Sequence, residues 1–510
     1  MKIKKIILSG FRGYRNRTEI EFNDLTVFVG RNDIGKSTIL EALDLFFNEG
    51  KGIIKPEKTD ISIGVGIDEY CIEVVFTEIP PEVIIDSTHR TTLSSEFLVN
   101  EDGDLHVIKK CSGSKFIGTY IRAIHPANPE CSGLHMKKIT ELRSIIRDRN
   151  IDCDNQTICS VMRQAIWNHY SDDLQLSIID LCVADGEDTK KIWIQLSSRL
   201  PVYTLFQADR QNTDGDKEIQ DPLKAAVTMF FQDAELQERL NEIASQVEEK
   251  LREVSNRTLE KLREMNPDIA DTLNPVIPNA AQLKWSDVFK NVSITGDNDI
   301  PINKRGSGVK RLILLNFFRA EAERRLAENT ETGIIYAIEE PETSQHFENQ
   351  KKLIDALILL SQIANTQVVL TTHSGIIVKK LSFDNLRLVS NDRDGNKYVS
   401  SLQPNILVYP SLNEVNYTAF GEITEEYHDE LYGCIMENNW LRDYENGKPQ
   451  IPYIRLFEDG RTRNETHTVT KYIRDVMHHP ENTYNNRYTY QMLAESINDM
   501  RTYIRRRIQE

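Results

Sequence analysis

The sequence predicts an α/β fold: a mixed sheet with flanking helices, an inserted helical or coiled-coil arm, and a mainly α-helical C-terminal domain. Three observations carry this expectation. A glycine-rich turn at residues 30–38 joins an apolar strand pattern to a helical one, and two further apolar strand patterns occur beyond residue 330. The stretches between and after them repeat apolar residues at helical spacing. The expected divisions are a first lobe at 1–80, an insertion with the remaining first-lobe elements at 81–285, a second lobe at 286–405 and a helical domain at 406–510. At 510 residues the chain is too long for one core. Its 39% hydrophobic and 27% charged residues are ordinary for a soluble globular protein.

In the first lobe, residues 3–8, 18–22 and 71–76 read as strands. Between the first two lies Gly10-Phe11-Arg12-Gly13-Tyr14, a turn from which Arg12 can either reach a ligand on a neighbouring strand or sit solvated. Residues 25–29 form an apolar run that reads as a buried strand. It leads into Gly30-Arg31-Asn32-Asp33-Ile34-Gly35-Lys36-Ser37-Thr38, which fits the phosphate-binding pattern G-x-x-x-x-G-K-S/T. Residues 39–47 then repeat at helical spacing, so the pattern has the strand and helix that it requires. Gly30 and Gly35 let successive N–H groups turn toward phosphate oxygens, and the helix beginning near Lys36 adds its positive end. Lys36 is expected to reach the β- and γ-phosphates, and the Ser37 hydroxyl to ligate Mg²⁺. The nucleotide-contacting set is therefore Gly30, Asn32, Asp33, Gly35, Lys36, Ser37 and Thr38, with Arg12 as a candidate addition.

The pattern loosens from about 81 to 200. Residues 136–149 are amphipathic and read as a helix, and the pairs Lys109/Lys110 and Lys137/Lys138 read as solvated faces. Asp221-Pro222 is a helix start signal. Apolar residues recur at Leu236, Leu240, Ile243, Val247, Leu251 and Val254 until Asn266-Pro267 ends the run. At 1.5 Å per residue this is an arm of roughly 60 Å, either a short coiled coil or a helix packed flat on the sheet.

The second lobe carries the remaining chemistry. In residues 303–312, Ser307 and Gly308 open a helix whose N-terminus suits an anion. Residues 333–338 form a strand ending in Glu339-Glu340-Pro341-Glu342, at the sheet edge where α/β proteins bind ligands. There Glu339 is assigned to the metal and Glu340 to the attacking water. Residues 367–370 form a second strand ending in Thr371-Thr372-His373-Ser374, where His373 can contact the γ-phosphate or the lytic water. A hairpin at 386–390 and 397–402, turning at Asp392-Arg393-Asp394-Gly395, precedes Tyr- and Asn-rich helical stretches and a basic tail at 501–507.

No window approaches the ~20 apolar residues of a membrane helix, so no membrane association is expected. The start is basic and then apolar, but too short in its apolar part for a signal-peptide core. Seven cysteines lie scattered without a C-x-x-C pair, which points to reduced thiols and a cytoplasmic location. A net charge of −16 argues against wrapping nucleic acid over the whole surface, while leaving a local basic groove open.

The order of these motifs resembles the ATP-binding-cassette ATPases, in particular the heads of the structural-maintenance-of-chromosomes, RecF and OLD group, over about 1–80 and 290–380. In that reading the phosphate loop is Walker A and residues 334–340 are Walker B. Gly306-Ser307-Gly308-Val309-Lys310 is the signature, and His373 is the switch histidine. The resemblance implies an ABC-type ATPase head that uses ATP and Mg²⁺. It also implies Ser307 and Gly308 closing over ATP held by a second protomer, and hence at least a homodimer through the heads. Two positions depart from the family. Glu339 stands where the Walker B metal ligand is usually Asp, and the signature keeps only its central Ser-Gly. Leu205-Phe206-Gln207-Ala208-Asp209-Arg210, residues 303–312 and residues 339–345 further resemble the ATPase subunits of anti-phage systems of the Septu, PARIS and Gabija type. That likeness implies a scaffold that senses a phage-derived trigger and controls a separate effector nuclease.

OLD and Gabija ATPases end in a Toprim domain, whose Asp-x-Asp has Asp392-Arg393-Asp394 as its one candidate here. This lies too soon after His373 for the Glu-bearing strand and reads instead as a turn. Arg474-Asp475-Val476-Met477-His478-His479 has the Arg-x4-His spacing of the HEPN ribonucleases, with Arg474 stabilising phosphate charge and His479 or His478 as base. It reads equally as a cation-rich helix end stopped by Pro480. The functions in competition are thus a regulatory ATPase, an autonomous ribonuclease licensed by that ATPase, and a RecF-like DNA clamp.

Overall fold

The computed structural model describes residues 1–64, 69–86, 89–207, 333–343, 347–403, 406–407 and 409–509, with a few positions between 238 and 249. The arm expected at 221–266 falls almost entirely outside the described residues, and the turn carrying Ser307 and Gly308 falls wholly outside them. The chain divides into two units, Met1–Leu205 with Arg325–Glu510, and Phe206–Arg324. The architecture below is that of the first.

The N-terminal half supplies β1 (Lys2–Ser9), β2 (Thr18–Glu21), β3 (Leu25–Val29), α1 (Lys36–Asn48), β4 (Glu69–Thr77) and the hairpin of β5 (Val83–Asp86) and β6 (His89–Thr91). It continues with β7 (Leu105–Ser112), β8 (Lys115–Pro126), α2 (Ile139–Asp148), α3 (Cys159–His169), β9 (Leu176–Cys182), α4 (Glu187–Ser197) and β10 (Val202–Phe206). Beyond residue 333 come β11 (Ile334–Glu339), α5 (Phe347–Ser361), β12 (Thr366–Thr371), α6 (Gly375–Lys379), β13 (Leu386–Asn391) and β14 (Lys397–Ser401). The C-terminal domain comprises α7 (Leu412–Phe420), α8 (Glu425–Glu437), α9 (Leu441–Glu445), β15 (Gln450–Leu456), β16 (Thr462–Thr468), α10 (Val469–His478) and α11 (Tyr490–Gln509).

The expected mixed sheet is present, and a second six-stranded sheet stands beside it in the chain's first unit. One, ordered β2-β1-β4-β7-β8-β9, is antiparallel throughout. The other, ordered β10-β11-β12-β3-β13-β14, has a parallel centre from β11 to β13 and an antiparallel edge at β14. Its central strands are buried on both faces: β3 is LTVFV, every residue buried, and β12 is buried throughout. Continuous apolar runs are what a covered parallel sheet demands. α1 buries Ile39, Leu40, Leu43, Leu45 and Phe46 in the same core as Ile72, Val74 and Phe76 of β4 and Ile335 and Val369 of the parallel sheet. A helix apolar on nearly every face belongs between layers, and this one begins at the phosphate loop.

The region that loses its pattern after residue 81 holds three long strands of the antiparallel sheet as well as helices. Cations inside β7 masked its alternation. One of them, Lys109, read from sequence as solvated, is buried. Its amine donates to the Phe46 carbonyl at 2.7 Å and to Glu49 Oε1 at 2.6 Å, at the C-terminal end of α1. Unpaired helix carbonyls and the negative end of the dipole welcome a cation there. The C-terminal domain is mainly helical, and within it β15 and β16 pair as a hairpin. Its core is Tyr427, Leu431, Ile435, Ile473, Ile497, Met500 and Ile504.

A buried polar cluster locks α3 and α4 to the residue-96 turn. Arg163 donates to Glu96 Oε2 at 2.9 Å and to Asp188 at 2.5 Å, and His135 Nε2 lies 3.0 Å from that same Glu96 oxygen. Burial alone would raise the Glu96 carboxyl, but the His135 hydrogen bond and the Arg163 charge outweigh it and hold it at about 2. Burial, with neighbouring His135, pushes His125 down to about 4. Both shifts penalise acid. The unfolded chain takes up the His125 proton below its ordinary 6.5 and the Glu96 proton below 4.5, while the folded chain resists each. Urea midpoints should therefore hold steady from pH 8 to 7 and fall from about pH 6.5 downward, with about 2 kcal/mol lost by pH 4.5. A flat profile to pH 4.5 would contradict the buried arrangement.

Candidate nucleotide site

The C-terminal ends of β3, β11 and β12 finish level with one another, Glu339 in register with Thr371 and Thr371 with Phe28. All of the sequence-derived chemistry among the described residues except Arg474 and His479 gathers at or beside this edge. Beyond β3 the chain turns through Asp33 at φ +59 and Gly35 at φ +102 into α1, a left-handed path that Asp tolerates and Gly adopts freely. No side chain caps the N-terminus of α1, so its first N–H groups face outward for an anion. Asn32 and Asp33 are exposed on the loop and Thr38 is half-buried behind it.

Lys36 folds back over its own loop. Its amine donates to the carbonyls of Gly30 at 3.0 Å and Arg31 at 2.8 Å. Burial lowers it to about 8 against the pull of Glu340, Glu342, Asp33 and Glu339. The Ser37 hydroxyl donates to Glu339 Oε1. These two oxygens come from the helix start and the strand end, and they are hard donors of the kind Mg²⁺ takes alongside phosphate and water. No group of three or more His, Cys, Asp or Glu that could hold a metal occurs among the described residues, so any ion here would rely on nucleotide oxygens for the rest of its shell.

Glu340 sits at φ +40, a strained conformation for a residue with a long side chain. Its N–H donates to the Thr371 carbonyl at 3.1 Å and to Thr371 Oγ1 at 3.2 Å, which holds the bend in place. His373 Nε2 lies 2.9 Å from Glu340 Oε1. The contact with His373 outweighs burial and, together with the Lys36 charge, lowers the Glu340 carboxyl.

Glu342, to which sequence reading gave no role, organises the opposite strand end. Its Oε1 accepts from Thr372 Oγ1 at 2.7 Å and from the His373 N–H at 2.6 Å. Burial raises its carboxyl. Its place in the acidic run after β11 was the available signal, but a third acid in a row carries no indication of which way it faces.

Arg12 is engaged elsewhere. Its guanidinium pairs with Glu41, one turn along α1 from Ser37, and with Asp60 at 2.8 Å. To touch a nucleotide it would have to leave both. Arg31, inside the phosphate loop, reaches the C-terminal domain instead. It donates to Glu422 Oε1 at 2.7 Å and to the Phe420 carbonyl at 3.1 Å, and it lies 4.7 Å over the Phe420 ring. A cleft of about 890 Å³ opens beside Glu340 and His373, with Leu412, Asn413 and Asp429 of α7 and α8 among its walls.

Arg474 and His479 share the lining of a separate cavity of about 980 Å³ against the β15–β16 hairpin. Five carboxylates, Glu458, Asp459, Glu465, Asp475 and Glu481, line it against three cations, Arg455, Lys471 and Arg474, a net negative balance that disfavours a phosphodiester. Arg474 lies 3.3 Å from Asp475 and over the Tyr432 ring, and His479 Nδ1 lies 3.0 Å from Glu481.

A family model described as an AAA ATPase domain matches residues 1–378. The OLD nuclease of Thermus scotoductus (strain ATCC 700910 / SA-01) is 32% identical over 131 residues, which are 26% of this chain and 22% of that protein. The chain thus spans about a fifth of the length of that curated relative. Among solved structures, an SMC head bound to the C-winged helix domain of ScpA is 15% identical with a TM-score of 0.37, covering 81% of this chain and 100% of that one. The SMC head domain from Thermotoga maritima is 15% identical with a TM-score of 0.31, covering 79% and 100%. An Smc head with an extended coiled coil, bound to the C-terminal domain of ScpA from Pyrococcus furiosus, is 13% identical with a TM-score of 0.35, covering 82% and 98%. No helix among the described residues is long and apolar enough to cross a membrane.

Proposed function

This chain belongs to the AAA ATPase domain family, and from that premise we propose that it is the ATP-hydrolysing sensor and scaffold subunit of a bacterial anti-phage complex that controls an effector nuclease. The observation that carries the catalytic part is the meeting of Lys36, Ser37, Glu339, Glu340 and His373 at one sheet edge. ATP lies with its phosphates along the 30–38 loop and the first turn of α1, and Lys36 leaves its two carbonyls for the β- and γ-oxygens. Ser37 and Glu339 would hold Mg²⁺, and the ion would supply positive charge against that developing on the phosphates. Glu340, ionised, takes a proton from the water that attacks the γ-phosphorus as the bond to the β–γ bridging oxygen breaks. His373 orients that carboxylate, and Glu342 orients His373. Ser307 and Gly308 of a second protomer complete the site, so ATP pairs the heads.

The defence role is supported by the resemblance of residues 205–210, 303–312 and 339–345 to anti-phage ATPase subunits, and the link to a nuclease by the 131-residue likeness to an OLD nuclease. The acid-lined cavity around Arg474 and His479 favours a nuclease on another subunit over one in this chain. The test is phage plating on cells carrying the intact system. Wild type should reduce plaques, Lys36→Ala should plaque like unprotected cells, and Arg474→Ala should protect as wild type does. Full protection by Lys36→Ala would overturn the proposal.

A further inference from the structure

Two side chains outside the phosphate-binding pattern grip the loop from behind. Lys397 opens β14, and its amine donates to the Asp33 carbonyl at 3.2 Å. The Tyr14 hydroxyl, fully buried, donates to the Gly35 carbonyl at 3.1 Å. The stem of Lys397 runs through a slot between Gly13 and Gly35. A Cβ at Gly35 would come within 2.7 Å of Lys397 Cδ and Nζ, and one at Gly13 would collide with the same stem. Position is enforced by the hairpin itself. The Lys397 N–H donates to the Gly13 carbonyl at 3.1 Å, and Asn396 Oδ1 accepts from the N–H groups of Arg15 and Asn16, each at 3.0 Å.

The geometry points to Lys397 and Tyr14 as positioning residues for ATP that act through the phosphate loop. Across a planar trans peptide the C=O of one residue and the N–H of the next point in opposite directions. Holding the Asp33 carbonyl outward therefore turns the Ile34 N–H inward, and holding that of Gly35 does the same for the Lys36 N–H. The Ile34 N–H does face the loop interior: its nearest acceptor, at 3.4 Å, is the Arg31 carbonyl that also receives the Lys36 amine. Inward N–H groups are what a phosphate needs, and without anchors a left-handed turn at Asp33 and Gly35 would relax among several conformations. Lys397 and Tyr14 thus fix the donor directions before the nucleotide arrives.

This inference rests on the ATPase reading, and its test separates the two. Lys397→Met keeps an unbranched stem in the slot and removes the ammonium. It should raise KM for ATP and the Kd for a non-hydrolysable ATP analogue about tenfold, the order expected for losing one hydrogen bond from a charged donor. Turnover kcat should stay within about twofold, the pattern of a lost ground-state contact, and the melting temperature without nucleotide should fall by no more than about 3 °C. Tyr14→Phe, which deletes one oxygen, should shift KM in the same direction by a smaller factor and serves if Lys397→Met does not fold. Unchanged KM in the folded variant overturns the inference, as does a fall in kcat that tracks a fall in melting temperature. A wild-type chain that neither binds nor hydrolyses ATP would instead overturn the ATPase reading.

Discussion

Lys36→Ala should lower kcat/KM for ATP hydrolysis by about a hundredfold or more, as measured by phosphate release from the purified protein. The amine is the cation placed to enter the phosphate loop, and hydrogen bonds made by a charged donor are worth about 1.5–3 kcal/mol each. Two of them to phosphate oxygens account for that factor. In the free protein the amine rests on the Gly30 and Arg31 carbonyls, with burial holding it at about 8. A base whose pKa is depressed loses its proton as pH rises through the lowered value, so wild-type kcat/KM should decline above about pH 8. Incoming phosphate supplies negative charge that restores the ammonium, so kcat should decline less. A Lys36→Ala variant with wild-type turnover would remove the loop from the mechanism.

Glu340→Gln should separate binding from hydrolysis. The amide keeps the size of the side chain and leaves the Glu340 N–H in its bonds to Thr371, so the strained turn survives. What it loses is the base, and turnover should fall by about 10²–10⁴. ATP should still bind with near wild-type affinity, because Lys36, Ser37 and Glu339 are untouched. If the heads pair over ATP, this variant should accumulate as the paired particle, its mass by light scattering rising on adding ATP and staying raised. Wild type should rise and then return as ATP is consumed. Wild-type turnover in Glu340→Gln would take the base away from this residue, and unchanged mass with bound ATP would count against pairing.

The elements that were legible in the sequence are those in which local pattern and burial agree. Residues 25–29 sit between two parallel neighbours, so burial on both faces wrote a continuous apolar run, and β3 has those same bounds. The strand ends after β11 and β12 were legible because their acids and imidazole interrupt such runs abruptly. The antiparallel sheet was harder. β8 has exposed and half-buried positions over most of its length, and β7 carries a buried Lys109 whose partner lies 60 residues away on the chain. Nothing local marks such a residue as interior. The same limit hid Lys397 and Glu342: each acts on a segment distant in sequence, and a lysine in a hairpin or a third acid in a row reveals its target only once the strands are placed.

Arg31 makes the C-terminal domain a tenant of the phosphate loop. Trimming the polypeptide near residue 405 to obtain a minimal head would delete Phe420 and Glu422, freeing a guanidinium whose own backbone carbonyl supports Lys36. Affinities recorded on such a fragment would describe a loosened cradle. Conversely, any ligand that pries α7 away from the head would be felt at the γ-phosphate without touching it.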